Sequence, residues 1–212
     1  MVKVFTSRRR PLTSARIVEA ATRLIDRDGL DVLSMRHLGA SLGVEAMSLY
    51  RHFPSKSALL DAVVAGLLAE LMLPVPGAAP WQQSFRALAR DYRQLLLRHP
   101  NAIPLLATLQ LSNLGALGAA GAVMALLRDA GFDARTSVHV LATAESFVIG
   151  FAYWEAGTSA LRRDAPAPPP LPPGADPYII EHWDELSNAD CDAAFEFGLD
   201  VLIAGLERGR GR

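Results

Sequence analysis

The sequence has a single cysteine, no long apolar run and no marked excess of either charge. The lone Cys191 excludes a disulfide within the chain, and no group of histidines and cysteines has the spacing of a zinc site. No apolar run reaches about 18 residues without a polar interruption, as a membrane-spanning helix would. The opening residues, MVKVFTSRRRPL, lack the apolar core of a signal peptide. We therefore expect a cytoplasmic protein that is neither secreted nor membrane-spanning.

The sequence also lacks the short motifs that mark common enzyme classes. It contains no Gly-x-Ser-x-Gly elbow, no phosphate-binding loop, no dinucleotide fingerprint, and no paired carboxylates or histidines at metal-binding spacing. An enzyme with an all-helical active site is the alternative from another functional class, and these absences argue against it. The 212 residues are 50% hydrophobic and 20% charged, which is typical of one large or two smaller globular domains.

Charge is distributed unevenly, although the net charge is only −1. Residues 1–60 contain ten Lys/Arg and five Asp/Glu, whereas residues 61–212 contain 11 and 17. A basic N-terminal module on an acidic body is expected if only one end of the protein meets phosphate. The three arginines Arg8 to Arg10 form either a basic arm that enters the minor groove or a solvated tail, and both interpretations stay open.

Residues 34–56, SMRHLGASLGVEAMSLYRHFPSK, have the pattern of a helix-turn-helix. Gly43 supplies the residue that can adopt a left-handed turn, and Ser34 can cap the first helix. Gly39 has no side chain and lets the two helix backbones approach closely. Apolar residues occur where two short helices crossing steeply would bury them, at Leu38, Leu42, Val44 and Leu49.

The second helix of this pair is predicted to begin near Ala46 and to end at Phe53-Pro54. Any two short helices joined at a glycine would give a similar apolar pattern. A hairpin of that kind, however, need not place hydroxyl, phenol and imidazole groups on the exposed side of its second helix. Ser48, Tyr50 and His52 occupy such positions, as side chains that contact DNA phosphates would.

The stretch LGVEAMSLYRHFPSKSALL resembles the TetR family of transcriptional regulators. The resemblance extends from Thr13 to Leu73, and FEFGLDVLIAGLER near the C-terminus is similar to the last helix of the tetracycline-repressor branch. It implies an all-α fold of about nine to ten helices. Residues 1–72 would form a three-helix DNA-binding domain with a fourth, connecting helix, and residues 73–212 a helical domain for effector binding and dimerisation.

The same resemblance implies which residues contact operator DNA. In the tetracycline-repressor branch the arginine that matches Arg36 reads a base, so we expect Arg36 to read guanine. Glu45, Ala46 and Met47 are expected to lie nearest the bases. The alternative for Glu45 is a negative charge that stabilises the start of the helix. Contacts to the DNA backbone are expected from Ser48, Tyr50, His52 and Lys56, with the role of His52 divided between DNA contact and packing. Arg51 varies in the family and is expected to be solvated.

Helical spacing predicts the remaining elements, with a domain boundary at the proline-containing residues 73–80. The predicted helices run from Thr13 or Ser14 to Gly29, from Ser55 to Leu73, from Trp81 to Arg98, from Asn113 to Ala130, from Ala134 to Gly157 and from Asp190 to Arg208. Residues 99–112 are expected to be kinked, and residues 178–186 to form a short amphipathic helix. Residues 160–177 are rich in proline and are interpreted either as a crossing loop or as a lid.

Two apolar helices, at residues 134–157 and 190–208, are the pair that forms a four-helix dimer bundle in this family. The alternative is that both fill the core of a monomer. A dimer would place two recognition helices about 34–36 Å apart, one turn of DNA, and would read a palindrome. We therefore expect a dimeric repressor released by a small hydrophobic effector; an activator or an architectural DNA-binding protein is the alternative.

Polar side chains on otherwise apolar helices suggest where the effector binds. Because an unpaired buried polar group costs roughly 1–3 kcal/mol, some of them are expected to await a ligand. The candidates for effector contact are His99, Asn113, Phe147 and Trp154. We expect no cofactor; His99 and Glu145 are the candidates for the alternative, a magnesium-chelated effector of the kind known in the tetracycline-repressor branch.

Overall fold

A computed structural model of the chain describes residues 11–75, 77–108, 114–164, 171, 173–188 and 190–209. Its regular structure in these ranges is helical, which confirms the predicted all-α class. The helices are α1 (Ser14–Asp28), α2 (Met35–Leu42), α3 (Ala46–Tyr50), α4 (Lys56–Leu68), α5 (Trp81–Arg98), α6 (Ile103–Ala107), α7 (Leu114–Asp129), α8 (Ala134–Asp164), α9 (Pro177–Glu181), α10 (Trp183–Ser187) and α11 (Cys191–Gly209).

Three of the first four helices begin at a side-chain cap that the sequence predicts. Thr13, Ser34 and Ser55 are the N-caps of α1, α2 and α4. In each case the side-chain oxygen accepts a hydrogen bond of 3.1–3.3 Å from the backbone N–H three residues further on. These bonds satisfy donors that the first helical turn leaves unpaired. Gly43 ends α2 with φ 68° and ψ 34°, the predicted left-handed conformation.

Gly39 lies where α2 and α3 come closest. A Cβ atom added to Gly39 would stand 2.9 Å from the carbonyl oxygen of Val44 and 3.3 Å from the backbone nitrogen of Ala46. Both neighbours are backbone atoms and cannot rotate away. The close approach that the sequence predicts therefore depends on the missing side chain at this position.

Two helices end earlier than predicted. Helix α3 stops at Tyr50 instead of Phe53, and the N–H groups of His52 and Phe53 both donate to the carbonyl of Leu49 at 2.9 Å. A proline follows Phe53 and disfavours a helical conformation there. Helix α4 stops at Leu68 instead of Leu73.

The chain just beyond the C-terminal end of α4 contacts α5. The backbone N–H of Met72 donates to the carboxylate of Asp91 at 2.7 Å instead of to a helical carbonyl. A bond between residues 19 positions apart is invisible to helical periodicity. The predicted extension of α4 to Leu73 is therefore wrong by about one turn.

The long helix α8 runs to Asp164, seven residues beyond the predicted end, so the proline-rich connection begins later than expected. Most of the remaining stretch lies outside the described residues. The predicted short helix at 178–186 is divided into α9 and α10 at His182. No helix in the described part of the chain is long and apolar enough to cross a membrane.

One cluster of buried apolar side chains continues from the N-terminal helices into the body. It includes Ile25 of α1, Leu67 of α4, Ile103 of α6 and Phe195 of α11. A second cluster joins the start of α5 to α7, α8 and α11. Helix α4 packs on α1, α6 and α7 and so belongs to both parts of the molecule. The division of the chain at residue 72 stays a prediction.

Arg93 of α5 is 5% exposed, and its charge is compensated on every side. The guanidinium donates two hydrogen bonds to Glu155 of α8, at 2.7 and 2.8 Å, and its third nitrogen lies 2.7 Å from a carboxylate oxygen of Asp192 of α11. It also lies over the rings of Phe151 and Phe195, at 5.6 and 4.8 Å from their centroids. These contacts hold three helices of the body together.

Replacing Gly39 by alanine should destabilise the protein by about 1–3 kcal/mol, because the added methyl group overlaps backbone atoms of the turn. Gly118, inside α7, is a matched control since a Cβ there meets no atom within 4 Å. Gly118→Ala should stabilise the protein by about 0.5–1 kcal/mol through helix propensity. Urea unfolding measures both changes. Equal effects of the two substitutions would contradict the packing described at Gly39.

Candidate DNA-binding surface and effector cavity

The turn of α3 buries one side chain and presents others to solvent. Leu49 is fully buried, whereas Met47 is 71% exposed and Tyr50 is 43% exposed. Ala46 and Ser48 are half-buried. A five-residue helix is too short to stand alone, so its packing through Leu49 fixes which side chains face outward.

Three charged residues predicted to contact DNA flank this helix on the surface. Arg36 of α2, Glu45 before α3 and Lys56 at the start of α4 are all exposed. Neither Arg36 nor Lys56 forms an ion pair with any residue that the structure describes. Their positive charges are therefore available to a polyanion.

Two arginines of the body, in contrast, form ion pairs. Arg86 and Arg90 of α5 both bind the carboxylate of Glu196 of α11, at distances of 2.6–3.0 Å. The arginines hold the pKa of Glu196 below its usual range, chiefly through hydrogen bonds from Arg90. The body therefore compensates these charges internally, whereas Arg36 and Lys56 on the N-terminal module remain uncompensated.

His52 has a packing contact that its predicted role in phosphate binding does not include. It is half-buried, and its Nδ1 lies 3.3 Å from the hydroxyl of Ser14 at the start of α1. The contact fixes the end of the α3 region against α1. Ser14 is thus a positioning residue that sequence reasoning considered only as a helix cap.

A cavity with a volume of about 100 Å³ lies between α4, α5, α7 and α8. Its walls are almost entirely apolar. The residues that line it are Leu68, Leu71, Phe85, Leu88, Ala89, Tyr92, Ala119, Ala120, Val123, Leu141, Ala144, Glu145 and Val148. The last turn of α4 and the residues that follow it form one wall, so the cavity borders the helix that leads to the DNA-binding surface.

Tyr92 and Glu145 are the polar side chains of this lining. Burial raises the pKa of the Tyr92 phenol, and the charge of Glu145 raises it further. Burial also raises the pKa of Glu145. Sequence reasoning treated Tyr92 only as part of an apolar stripe. Its spacing of seven positions from Phe85 and four from Leu88, along one helix face, is the signal that could have found it.

The predicted effector contacts that the structure describes, His99, Phe147 and Trp154, do not line this cavity. His99 follows α5, and its Nδ1 lies 3.0 Å from the carboxylate of Asp26 in α1, so it joins the N-terminal module to the body. Phe147 packs against Phe195 with ring centroids 5.2 Å apart. Neither residue lines the cavity, and Asn113 lies outside the described residues.

Trp154, the fourth candidate, is 47% exposed and packs edge-on against Phe151 outside the cavity. A ring exposed at the surface of a single chain is a contact for another molecule more readily than a lining of an internal site. His99 and Glu145 are the pair considered for a metal site. Glu145 lines the cavity, whereas His99 contacts Asp26 of α1 outside it. No group of three or more His, Cys, Asp or Glu that could hold a metal occurs among the residues searched, which are those the structure describes.

These features define a class of protein, a helical regulator with a helix-turn-helix head on an apolar body. Residues 17–63 match "Bacterial regulatory proteins, tetR family", and residues 73–209 match "Tetracyclin repressor-like, C-terminal domain". The chain therefore belongs to the TetR family of DNA-binding transcriptional regulators, as its helix-turn-helix motif predicts.

Similar proteins cover nearly the whole chain. An HTH-type transcriptional regulator of Saccharopolyspora erythraea is 34% identical over 205 residues, 94% of this chain and 87% of that protein. The tetracycline repressor protein class A of Escherichia coli is 34% identical over 197 residues, 92% and 90% of the two chains. The structure of the Streptomyces coelicolor TetR family protein ActR in complex with actinorhodin superposes with a TM-score of 0.80 at 27% identity, covering 96% and 100%.

The cavity carboxylate gives a stability prediction. Because burial raises the folded-state pKa of Glu145, the ionised form opposes folding, and the opposition appears as pH rises through that pKa. Glu145→Gln should therefore be more stable than the native protein at pH 8, and the difference should shrink as pH falls towards the ordinary carboxyl pKa of about 4.3. Urea unfolding across this range measures it. A glutamine variant that is less stable at every pH would show that the carboxylate has a stabilising partner.

Proposed function

We propose that this protein is a dimeric, cytoplasmic repressor that binds a palindromic operator and releases it when a small hydrophobic molecule enters the body. The observation that carries the proposal is the position of α4. One end of this helix follows directly on the recognition surface, and the other end forms a wall of the apolar cavity. No metal cofactor is included in the proposal.

The recognition surface supports DNA binding through shape and charge. Met47 projects from α3 as an exposed apolar side chain that can meet a thymine methyl group, and Arg36 can pair with guanine. Ser48, Tyr50 and Lys56 supply a hydroxyl, a phenol and an ammonium group for phosphate oxygens. These are the roles proposed for the predicted contacts, with Glu45 and Ala46 beside the bases and His52 partly engaged in packing.

Dimerisation is supported by the surfaces that α8 and α11 leave uncovered. Both helices expose large apolar side chains, which a stable monomer rarely leaves in one place. The exposed members are Val138, Tyr153 and Trp154 of α8 and Phe197 and Val201 of α11. A second copy that covers both helices would form a symmetric four-helix bundle and set the spacing of the two recognition surfaces.

Release of DNA follows from the size of the cavity. A cleft that holds a drug-sized molecule usually has a volume of about 300–1,000 Å³, well above the 100 Å³ of this cavity. A larger effector must therefore move a wall, and Leu68 and Leu71 belong to the wall formed by the end of α4. Effector binding then favours the state in which α4 has shifted, and DNA affinity falls by the same coupling free energy.

Similar proteins support a small-molecule response. ActR of Streptomyces coelicolor has been crystallised with actinorhodin and with (S)-DNPA, and a variant of the tetracycline repressor of Acinetobacter baumannii with minocycline. The identities are 27–28%. These proteins support the effector role of the body, while the particular effector of this chain follows from its own cavity.

Exchanging two of the proposed phosphate-contacting side chains should weaken DNA binding uniformly across sequences. The protein first selects fragments from a pool of randomised duplexes, and the affinity of Tyr50→Phe/Lys56→Ala for a retained fragment is then measured against salt. We expect a loss of about tenfold or more, from two lost hydrogen bonds, and a smaller salt slope because the positive charge of Lys56 is lost from the phosphate contacts.

Arg128→Ala is the control, since this exposed arginine of α7 pairs only with its neighbour Asp129 in the described structure. It should leave both the affinity and the salt slope unchanged. An unchanged affinity in the Tyr50/Lys56 variant, or a pool from which the native protein retains nothing, would defeat the proposed function.

A further inference from the structure

The cavity between α4, α5, α7 and α8 has an unusual distribution of polarity. Eleven of its 13 lining residues are apolar, and the other two are Tyr92 and Glu145. No Lys, Arg or His belongs to the lining. A ligand in this cavity therefore meets hydrocarbon on most of its surface and an acidic group at one place.

Two other half-buried carboxylates of the body, Glu155 and Glu196, are paired with arginines. Glu155 accepts two hydrogen bonds from Arg93, and Glu196 accepts bonds from Arg86 and Arg90. Glu145 forms no hydrogen bond or ion pair with any residue that the structure describes. A partly buried carboxylate without a cation is costly, so folding alone does not account for its presence.

The residues around Glu145 indicate which kind of ligand group would pair with its carboxylate. An ionised carboxylate attracts a cation that carries hydrogen-bond donors, and a protonated amine supplies both. Phe85 and Tyr92 line the same cavity, and aromatic rings attract an ammonium group. The apolar walls require that the rest of the molecule be hydrocarbon.

We propose that the effector belongs to the lipophilic amines, compounds with a protonated amino group on a compact apolar body, and that Glu145 is its counter-ion. This inference rests on the proposed function of the cavity as the effector site. A chelated magnesium ion fits the cavity less well, because such an ion needs several oxygen ligands and the lining offers one carboxylate and one phenol.

The experiment uses probes of one ring, because a cavity of about 150 Å³ holds benzene and this cavity, at about 100 Å³, needs to widen only modestly to hold one ring. Benzylamine, benzyl alcohol and benzoate share the ring and differ in charge. Their binding to the full-length protein is measured by calorimetry at neutral pH in the presence of EDTA. We expect benzylamine to bind about tenfold more tightly than the alcohol, and benzoate to bind most weakly. Equal binding of amine and alcohol, or no binding of the amine, overturns the proposal.

Variants assign the preference to the carboxylate. Glu145→Gln should bind benzylamine and benzyl alcohol equally and should bind benzoate better than the native protein does. Glu145→Asp keeps the charge and should keep a preference for the amine. Glu185→Gln removes an exposed carboxylate of α10 and should leave all three affinities unchanged. An amine preference that survives in Glu145→Gln contradicts the assignment.

A second readout separates this inference from the proposed function. The retained DNA fragment is titrated with each probe, and its release is followed by anisotropy. If benzylamine binds with the expected preference but never releases DNA, the result contradicts the proposed repressor mechanism and supports the proposed class of ligand. If neutral probes release DNA as well as benzylamine does, the result supports the repressor mechanism and contradicts the proposed preference for amines.

Discussion

Burial of α4 on two sides is the constraint on which the rest of the structure depends. Leu59, Val63, Val64, Leu67 and Leu68 are all buried, so this helix cannot shift without disturbing packing against both the N-terminal module and the body. Packed interiors resist small continuous deformation and pass from one arrangement to another. In the proposed mechanism, a helix shared in this way converts a change of cavity volume into a change of the orientation of the recognition helix.

The features predicted correctly from sequence are those fixed by residues close together in the chain. The cap at Ser34, the left-handed Gly43 and the close approach at Gly39 depend on neighbours within about ten positions, and the fold class and family follow from them. The apolar cavity could not be predicted because its lining comes from four helices. His99 illustrates the limit: its partner Asp26 lies 73 positions away, so helical spacing could not show that this histidine joins two parts of the fold.

The body contains two kinds of buried charged side chain: one that is paired and one that is not. The paired charge stabilises the fold, whereas the unpaired charge is the candidate for ligand binding. Arg93 is 5% exposed and is held by Glu155, Asp192 and two aromatic rings, so its charge contributes to the cohesion of three helices. Glu145 is left facing an apolar cavity without a cation. Perturbed and unpaired groups in a cleft are common at functional sites because selection for binding maintains them against stability. The unpaired carboxylate of Glu145 is therefore the feature on which the proposed effector site depends.

The coupling between cavity and DNA surface is tested most directly by filling the cavity with a side chain. Ala120→Phe places a ring among the residues that face α4, whereas Ala79→Phe places the same ring on the exposed segment before α5. The affinity of each folded variant for a retained DNA fragment is measured without any effector. The account predicts that Ala120→Phe binds DNA several-fold more weakly and that Ala79→Phe binds like the native protein. Native DNA affinity in a folded Ala120→Phe variant would contradict it.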